Sequence, residues 1–501
     1  MDLARPRVSL GKGIHLPYAT VSGKVLFSKN RVHLIGLKGK VGNSALWGKG
    51  EMGNPWLGNQ GRKRLNLILG GELDLRELFS RILPEVFPRI SKPMASFSVI
   101  SGGARLTLEL KGKGNGIKGI RYEGRVSLED AIFRHHRMVS PIRFHKGYIH
   151  FTPKVIRLSK MEARLKGSHL EVEGSLRDFL AWERSKINLR IRAPNLDIGD
   201  FRLKKGGKGG WIWRSGIVLP DFGGITVRVK EGKWRYTDFS NLTADITLAG
   251  GRLSLERFNC EVKGGKVDLT AWVDLAKRGE VAFALNPTLS QVDAGRFFRD
   301  LGLQERVWIT GAFNLWGKLR GRGRDWKELR RSLEGKLRVG MEEGRIRRFR
   351  LLSKVFSLLN VLQLFKGKFP GLTGEGLPYN RITGEIGIAR GIARTDNLLV
   401  DSDAMKITII GEADIAREAL DLTMGLCPLG TVDTIVSRVP VVGRILAGED
   451  DTVIAYYVEV KGDFSNPKVR HIPLKSMEKG LIGMIRRVLE TPIHIIPMRK
   501  E

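Results

Sequence analysis

The chain reads as a mainly β protein: an elongated, curved, mostly antiparallel sheet forming a groove, with a few short helices. Three observations predict this. Alternating apolar and polar residues recur along nearly the whole length, as in Leu106, Leu108 and Leu110 against Arg105, Thr107 and Glu109. A period of two places each set on its own face of a strand. Glycine is abundant, 61 of 501 residues, against 19 prolines, which marks many tight turns and not low complexity. The net charge of +34 is spread through nearly every strand and turn, so one face of the sheet is apolar and the other basic.

From Val8 to Leu69 the pattern is short strands and glycine turns. Residues Gly71 to Leu83 predict a short amphipathic helix ended by Pro84. Strands resume at Ala95–Ile100 and Ala104–Leu110. A unit of three short strands then repeats, at Gly147–Asp178, Gly251–Asp274 and Gly391–Asp414, as in structures that grow along one axis. The stretch Trp308–Arg350 gives strand, short helix, strand and turn, with glycine at each corner. The basic loop Leu203–Gly210 is the softest boundary, which divides the chain into residues 1–202, 203–330 and 331–472, with a helix and tail over 473–501. Leu351–Phe365 is the most apolar helical stretch, and its length and polar residues argue against a membrane span. Ser476–Leu489 predicts a second helix whose stripe of Met477, Leu481, Met484, Ile485 and Val488 suits a membrane surface, a partner or an open sheet end.

The chemistry-bearing residues point away from catalysis. His135, His136, His145 and His150 fall close together, but no cysteine and few carboxylates join them. Polar residues on a solvated strand face are the plainer reading than a metal site. Asp401 and Asp403, and Glu449 to Asp451, read as turn residues. Cys260 and Cys427 sit in unrelated contexts and are not expected to pair. No nucleophile elbow, phosphate-binding loop or dinucleotide fingerprint is present. The expectation is therefore no enzyme, no catalytic residue, no metal and no cofactor. So strong a basic balance implies an anionic partner. Lacking a zinc finger, a recognition helix or a ribonucleoprotein signature, the chain is not expected to bind nucleic acid; scattered cations beside an apolar face suit anionic phospholipid. By packing rules alone, a sandwich whose apolar faces cover each other stays open as an alternative.

From Pro287 onward an ordered set of motifs appears. Leu289–Leu303 reads as a short helix. Ile309–Gly323 and Ser332–Val339 follow, then Leu351–Phe365, Tyr379–Gly391, Asp401–Ile407 and Gly411–Ile415. Pro428–Gly430, Val439–Gly448 and Val460–Val469 close the run. In this order the stretch is similar to the C-terminal region of the AsmA-like family, the envelope proteins that include TamB and YhdP. The resemblance implies a long β groove with an apolar interior, anchored in the inner membrane by an N-terminal helix. It also implies a role in moving phospholipid across the periplasm between inner and outer membranes. An anchor is absent from this chain, so a periplasmic location by way of an inner-membrane anchor is an expectation. The expected occupant is phospholipid, with membrane surfaces or envelope proteins at the ends and a single copy of the chain. Leu106, Leu108, Val172, Leu253, Leu255, Val267, Leu269, Ile407 and Ile409 are the residues expected to line the groove. Arginine at Leu255 or Ile407 is expected to block lipid while sparing the fold. The alternative is an assembly scaffold for outer-membrane proteins that acts through strand edges without carrying lipid.

Overall fold

The computed structural model describes residues 8–9, 15–16, 19–53, 64–82, 97–113, 120–136, 138–179, 185–201, 222–274, 279–303, 309–347, 376–429, 443–447, 451–473 and 479–490. They fall into two compact units, residues 1–233 with 241–251, and residues 234–240 with 252–501. The basic loop 203–210 and the apolar stretch 351–365 lie outside the described residues.

The first unit opens with the two-residue strands β1 (Val8–Ser9) and β2 (His15–Leu16), which pair with each other. Its sheet then runs β3 (Ala19–Phe27), β4 (Arg31–Val41), β5 (Ser44–Gly53), β6 (Arg64–Asp74), β7 (Phe97–Lys113) and β8 (Ile120–His135). It continues with β9 (Ile142–Phe151), β10 (Val155–Leu165), β11 (Ser168–Arg177), β12 (Lys186–Asp197) and β13 (Phe222–Trp234), and β14 (Thr237–Ala249) is divided between the units. Each strand from β3 to β12 pairs antiparallel with its successor, while β12 and β13 run parallel.

Alternation in β7 shows how sequence becomes surface. Leu106 pairs with Gly71 and Val126, and Leu108 with Leu69 and Gly124, so apolar side chains from three strands share one face. On the other face Arg105 bridges Glu129 at 3.1 Å and Glu72 at 3.8 Å. The two strands expected at Ala95–Ile100 and Ala104–Leu110 form one strand. Gly102, which reads as a break, is a bulge with φ +129°, and a Cβ there would lie 2.5 Å from the Ala131 backbone. The left-handed residues Asp130 (φ 45°) in β8 and Lys160 (φ 49°) in β10 each fall where the register with β9 shifts or skips, two residues apart along β9.

The expected helix Gly71–Leu83 is mostly strand. Pairing with β5 and β7 carries β6 to Asp74. Only α1 (Leu75–Glu77) and a wider turn, Leu78–Ile82, are helical. Asp74 caps α1 by accepting from the Glu77 amide at 3.0 Å.

The second unit continues with β15 (Arg252–Val262), β16 (Gly265–Asp274), β17 (Val281–Asp293), helix α2 (Ala294–Asp300), β18 (Ala312–Gly323), α3 (Trp326–Arg331) and β19 (Glu334–Ile346). Then come β20 (Leu377–Ala389), β21 (Ile392–Asp401), β22 (Met405–Asp414), β23 (Ala419–Pro428), β24 (Gly443–Ala447), β25 (Asp451–Asp463), β26 (Lys468–His471) and α4 (Lys479–Glu490). Described pairs here are antiparallel, with β25 joined to β23, β24 and β26. Each unit is an open, curled sheet with few short helices, as the sequence predicts, in place of two stacked layers.

Two of the repeats contain two strands and not three. In β15 the register shifts between Leu255 and Phe258, and in β21 between Thr395 and Leu398, so a bulge imitates a strand break. The family-like helix Leu289–Leu303 is likewise shorter. Leu289 and Val292 belong to β17, opposite Leu315 and Phe313. Asp293 caps α2 by accepting from the Arg296 amide at 2.8 Å. Phe297 and Phe298 then pack on Phe313, each at 5.5 Å between centroids.

Candidate binding face

In the first unit the apolar face divides into a sealed part and an open part. Leu75, Ala104, Leu128, Ala131 and Met161 are buried in one cluster, against which Leu78, Phe79, Leu106 and Val172 pack. The helical turn after β6 covers this level of the sheet, which Phe79 meets edge-on with Phe133 at 5.5 Å. Two residues along β7 the cover ends. Leu108, Leu110, Tyr122, Phe151, Ile156, Leu176 and Ile187 are half-buried and belong to no cluster. Register holds them together: Leu110 faces Tyr122, Phe151 faces Ile156, Ile156 faces Leu176 and Leu176 faces Ile187.

The second unit has its own gradient. In β15 and β16, Leu253 pairs with Val273, Leu255 with Ala271 and Phe258 with Leu269, all half-buried. Towards β25 the same kind of face is closed. Ile407 is 1% exposed, beside Val400 and Leu426 in register, and Val458 and Val460 are 0% exposed. Val267 and Ile409 pack against this core from its margin.

The nine residues expected to line a groove are thus distributed over both units. Leu108, Leu253, Leu255 and Leu269 lie on open apolar surface, Leu106, Val172, Val267 and Ile409 at the margins of cores, and Ile407 inside one. Burial of Ile407 removes it from the pair at which arginine was expected to spare the fold, because a buried unpaired charge is strongly destabilising.

The tail helix packs on the opposite face. Ile485 is 0% exposed and joins Leu399, Ile410, Cys427 and Tyr457, with Met484 and Val488 packed beside them. Met477 and the Leu481 side chain lie outside the described residues. Burial pushes the Tyr457 hydroxyl up to about 12, and neither it nor the buried Thr408 hydroxyl has a hydrogen-bond partner among the described residues.

The four histidines do not converge on one point. His135 meets Phe97 at 4.8 Å and His136 at 4.7 Å, while His145 meets Asp130 at 3.2 Å and His150 meets Glu123 at 2.8 Å. Among the described residues no group of three or more His, Cys, Asp or Glu could hold a metal ion. Asp403 accepts from Asn380 at 2.7 Å beside the turn closed by Ser402, which donates to the Met405 carbonyl at 2.8 Å. Both cysteines are free and buried; burial raises the thiol of Cys260 to about 11.

Alternation found the apolar face, but the aromatic and branched residues at its open end, Tyr122, Phe151 and Ile187, were not among those singled out. Their signal was the same period of two, in strands with less leucine. No helix among the described residues is long and apolar enough to cross a membrane. No curated protein and no solved structure matches the chain significantly. Residues 221–469, about half of the chain, match the family model described as YhdP protein. Through them the chain belongs to the YhdP family, a bacterial envelope family in the AsmA-like, TamB-type group of bridge-like proteins.

Proposed function

We propose that the chain is a periplasmic lipid carrier that moves phospholipid along its apolar sheet faces between the two membranes of the envelope. The observation that supports the reading most is the half-buried apolar surface at Leu253, Leu255, Phe258 and Leu269. Such a surface is too greasy to be left to water and too shallow to be a core. Acyl chains fill it without directional contacts, so weak repeated contacts replace a single tight site. Membership of a bridge-like envelope family supports the same reading. Charges on the opposite face keep the sheet soluble: Arg320 meets Glu334 at 2.7 Å and Arg338 meets Glu385 at 2.7 Å.

Photo-crosslinking from a reactive residue at Leu255, with labelled phospholipid supplied in vesicles, tests the proposal. Labelled lipid on Leu255 and not on the opposite-facing Arg257 is expected. Equal labelling at both positions, or none, favours the scaffold reading in which strand edges do the work.

A further inference from the structure

We propose that the first unit selects anionic phospholipid through a rim of cations at one end of its sheet. The inference rests on the lipid-carrier reading and adds the headgroup class.

The register builds this rim. Arg177 is the last residue of β11 and pairs with Lys186, the first of β12. Arg157 is the third residue of β10, and Arg121 the second of β8, opposite Lys111. From β7 to β12 these residues span five strand spacings, about 24 Å. All are exposed. Lys111 is held by Glu109 at 2.9 Å, but Arg121, Arg157, Arg177 and Lys186 make no ion pair among the described residues. Among the described residues, three carboxylates lie nearby. Glu109 is engaged by Lys111, Glu123 by His150 at 2.8 Å, and Asp178 follows Arg177 at the turn.

Two features make this more than a solvated edge. Cations directly opposite each other, as at Arg177 with Lys186, destabilise a sheet, so an anion between them would relieve that repulsion. The rim also borders the open part of the apolar face and not the sealed part. Leu110 and Tyr122 lie one residue from Lys111 and Arg121, Ile156 from Arg157, Leu176 from Arg177 and Ile187 from Lys186, so the cations start on the opposite face and reach the apolar one only around the strand ends. At the other end of the same strands the helical turn covers the face. A lipid with its chains on the half-buried surface and its headgroup at the uncovered end of the strands brings its phosphate to where the cations stand. Long Arg and Lys side chains can turn over a strand end while their stems stay on apolar surface, and a guanidinium binds phosphate in a bidentate fork.

The test offers the full chain equal amounts of phosphatidylglycerol and phosphatidylethanolamine in mixed vesicles and weighs the bound lipid by native mass spectrometry. Wild type is expected to hold at least about five-fold more phosphatidylglycerol at low ionic strength, with the preference shrinking as salt screens the rim. The combined variant Arg121→Gln, Arg157→Gln, Arg177→Gln and Lys186→Gln is expected to bind as much total lipid with a ratio near one. As a control, Arg143→Gln with Arg164→Gln, a cation pair towards the other end of the strands, is expected to keep the wild-type ratio. A wild-type ratio near one, or a preference that survives the four substitutions, overturns the rim. No lipid of either kind on the wild type would remove the carrier reading as well.

Discussion

Ile485 of the tail helix rests directly on Gly425 of β23: a Cβ added at Gly425 would lie 2.8 Å from Ile485 Cγ2. The helix approaches the sheet this closely because residue 425 has no side chain, and Tyr457 and Cys427 flank the contact. Gly425→Val is therefore expected to push α4 off the sheet and lower stability by about 1–3 kcal/mol, the usual range for overpacking. Limited proteolysis should then cut near Lys479 faster than in wild type. Unchanged cleavage would mean that the helix adjusts without leaving.

The two arginine substitutions now separate. Leu255→Arg places a charge on a half-buried position, where a long side chain can reach water. It is expected to unfold within about 1 kcal/mol of wild type while lowering bound lipid several-fold. Ile407→Arg places the charge in a core where the native residue is 1% exposed, and a loss of about 4 kcal/mol or more is expected. Chemical denaturation of both variants checks this. Equal stability losses would show that the two ends of the second unit's apolar face are alike.

Tyr457 carries a buried hydroxyl without a hydrogen-bond partner among the described residues. An unsatisfied buried polar group costs about 1–3 kcal/mol. Tyr457→Phe, which keeps the ring, is thus expected to hold stability or raise it by up to about 1 kcal/mol. A clear loss in thermal unfolding would reveal a partner for the hydroxyl.

Glu385 receives hydrogen bonds from Lys336 and then Arg338, which hold its carboxyl below the usual glutamate range. Because the folded value is the lower one, this stabilisation is complete above the ordinary glutamate value and is lost as pH falls through the folded one. Glu385→Gln is expected to lower stability above the ordinary glutamate value, where the carboxylate's stabilisation is complete, and to flatten the acid side of the profile. Denaturant midpoints from pH 7 to pH 3 measure this. A variant profile parallel to wild type throughout would dismiss the contribution.

Much of the fold was legible because a period of two survives in single strands: Leu106, Leu108 and Leu110 point one way in sequence and in structure. What the sequence misplaced were bends. Gly102 and the shifts after Leu255 and Thr395 read as strand ends because a bulge and a turn both interrupt alternation. Only pairing with a neighbouring strand distinguishes them. Burial was less legible still. Leu255 and Ile407 look equivalent in sequence, since each sits in an alternating apolar strand. What lies above them differs through residues far away along the chain. The tail helix was recognisable from its stripe, but not the face it would choose. Small Gly425 opposite Ile485 becomes a seat only once β22, β23 and β25 are side by side.

The most direct test is native mass spectrometry of the intact chain purified from cells without added detergent. Masses carrying whole phospholipids, depleted by Leu255→Arg, are expected. A chain that emerges at its bare mass, under conditions that keep lipid on a known carrier, would contradict the proposal that the half-buried apolar surface exists to hold acyl chains.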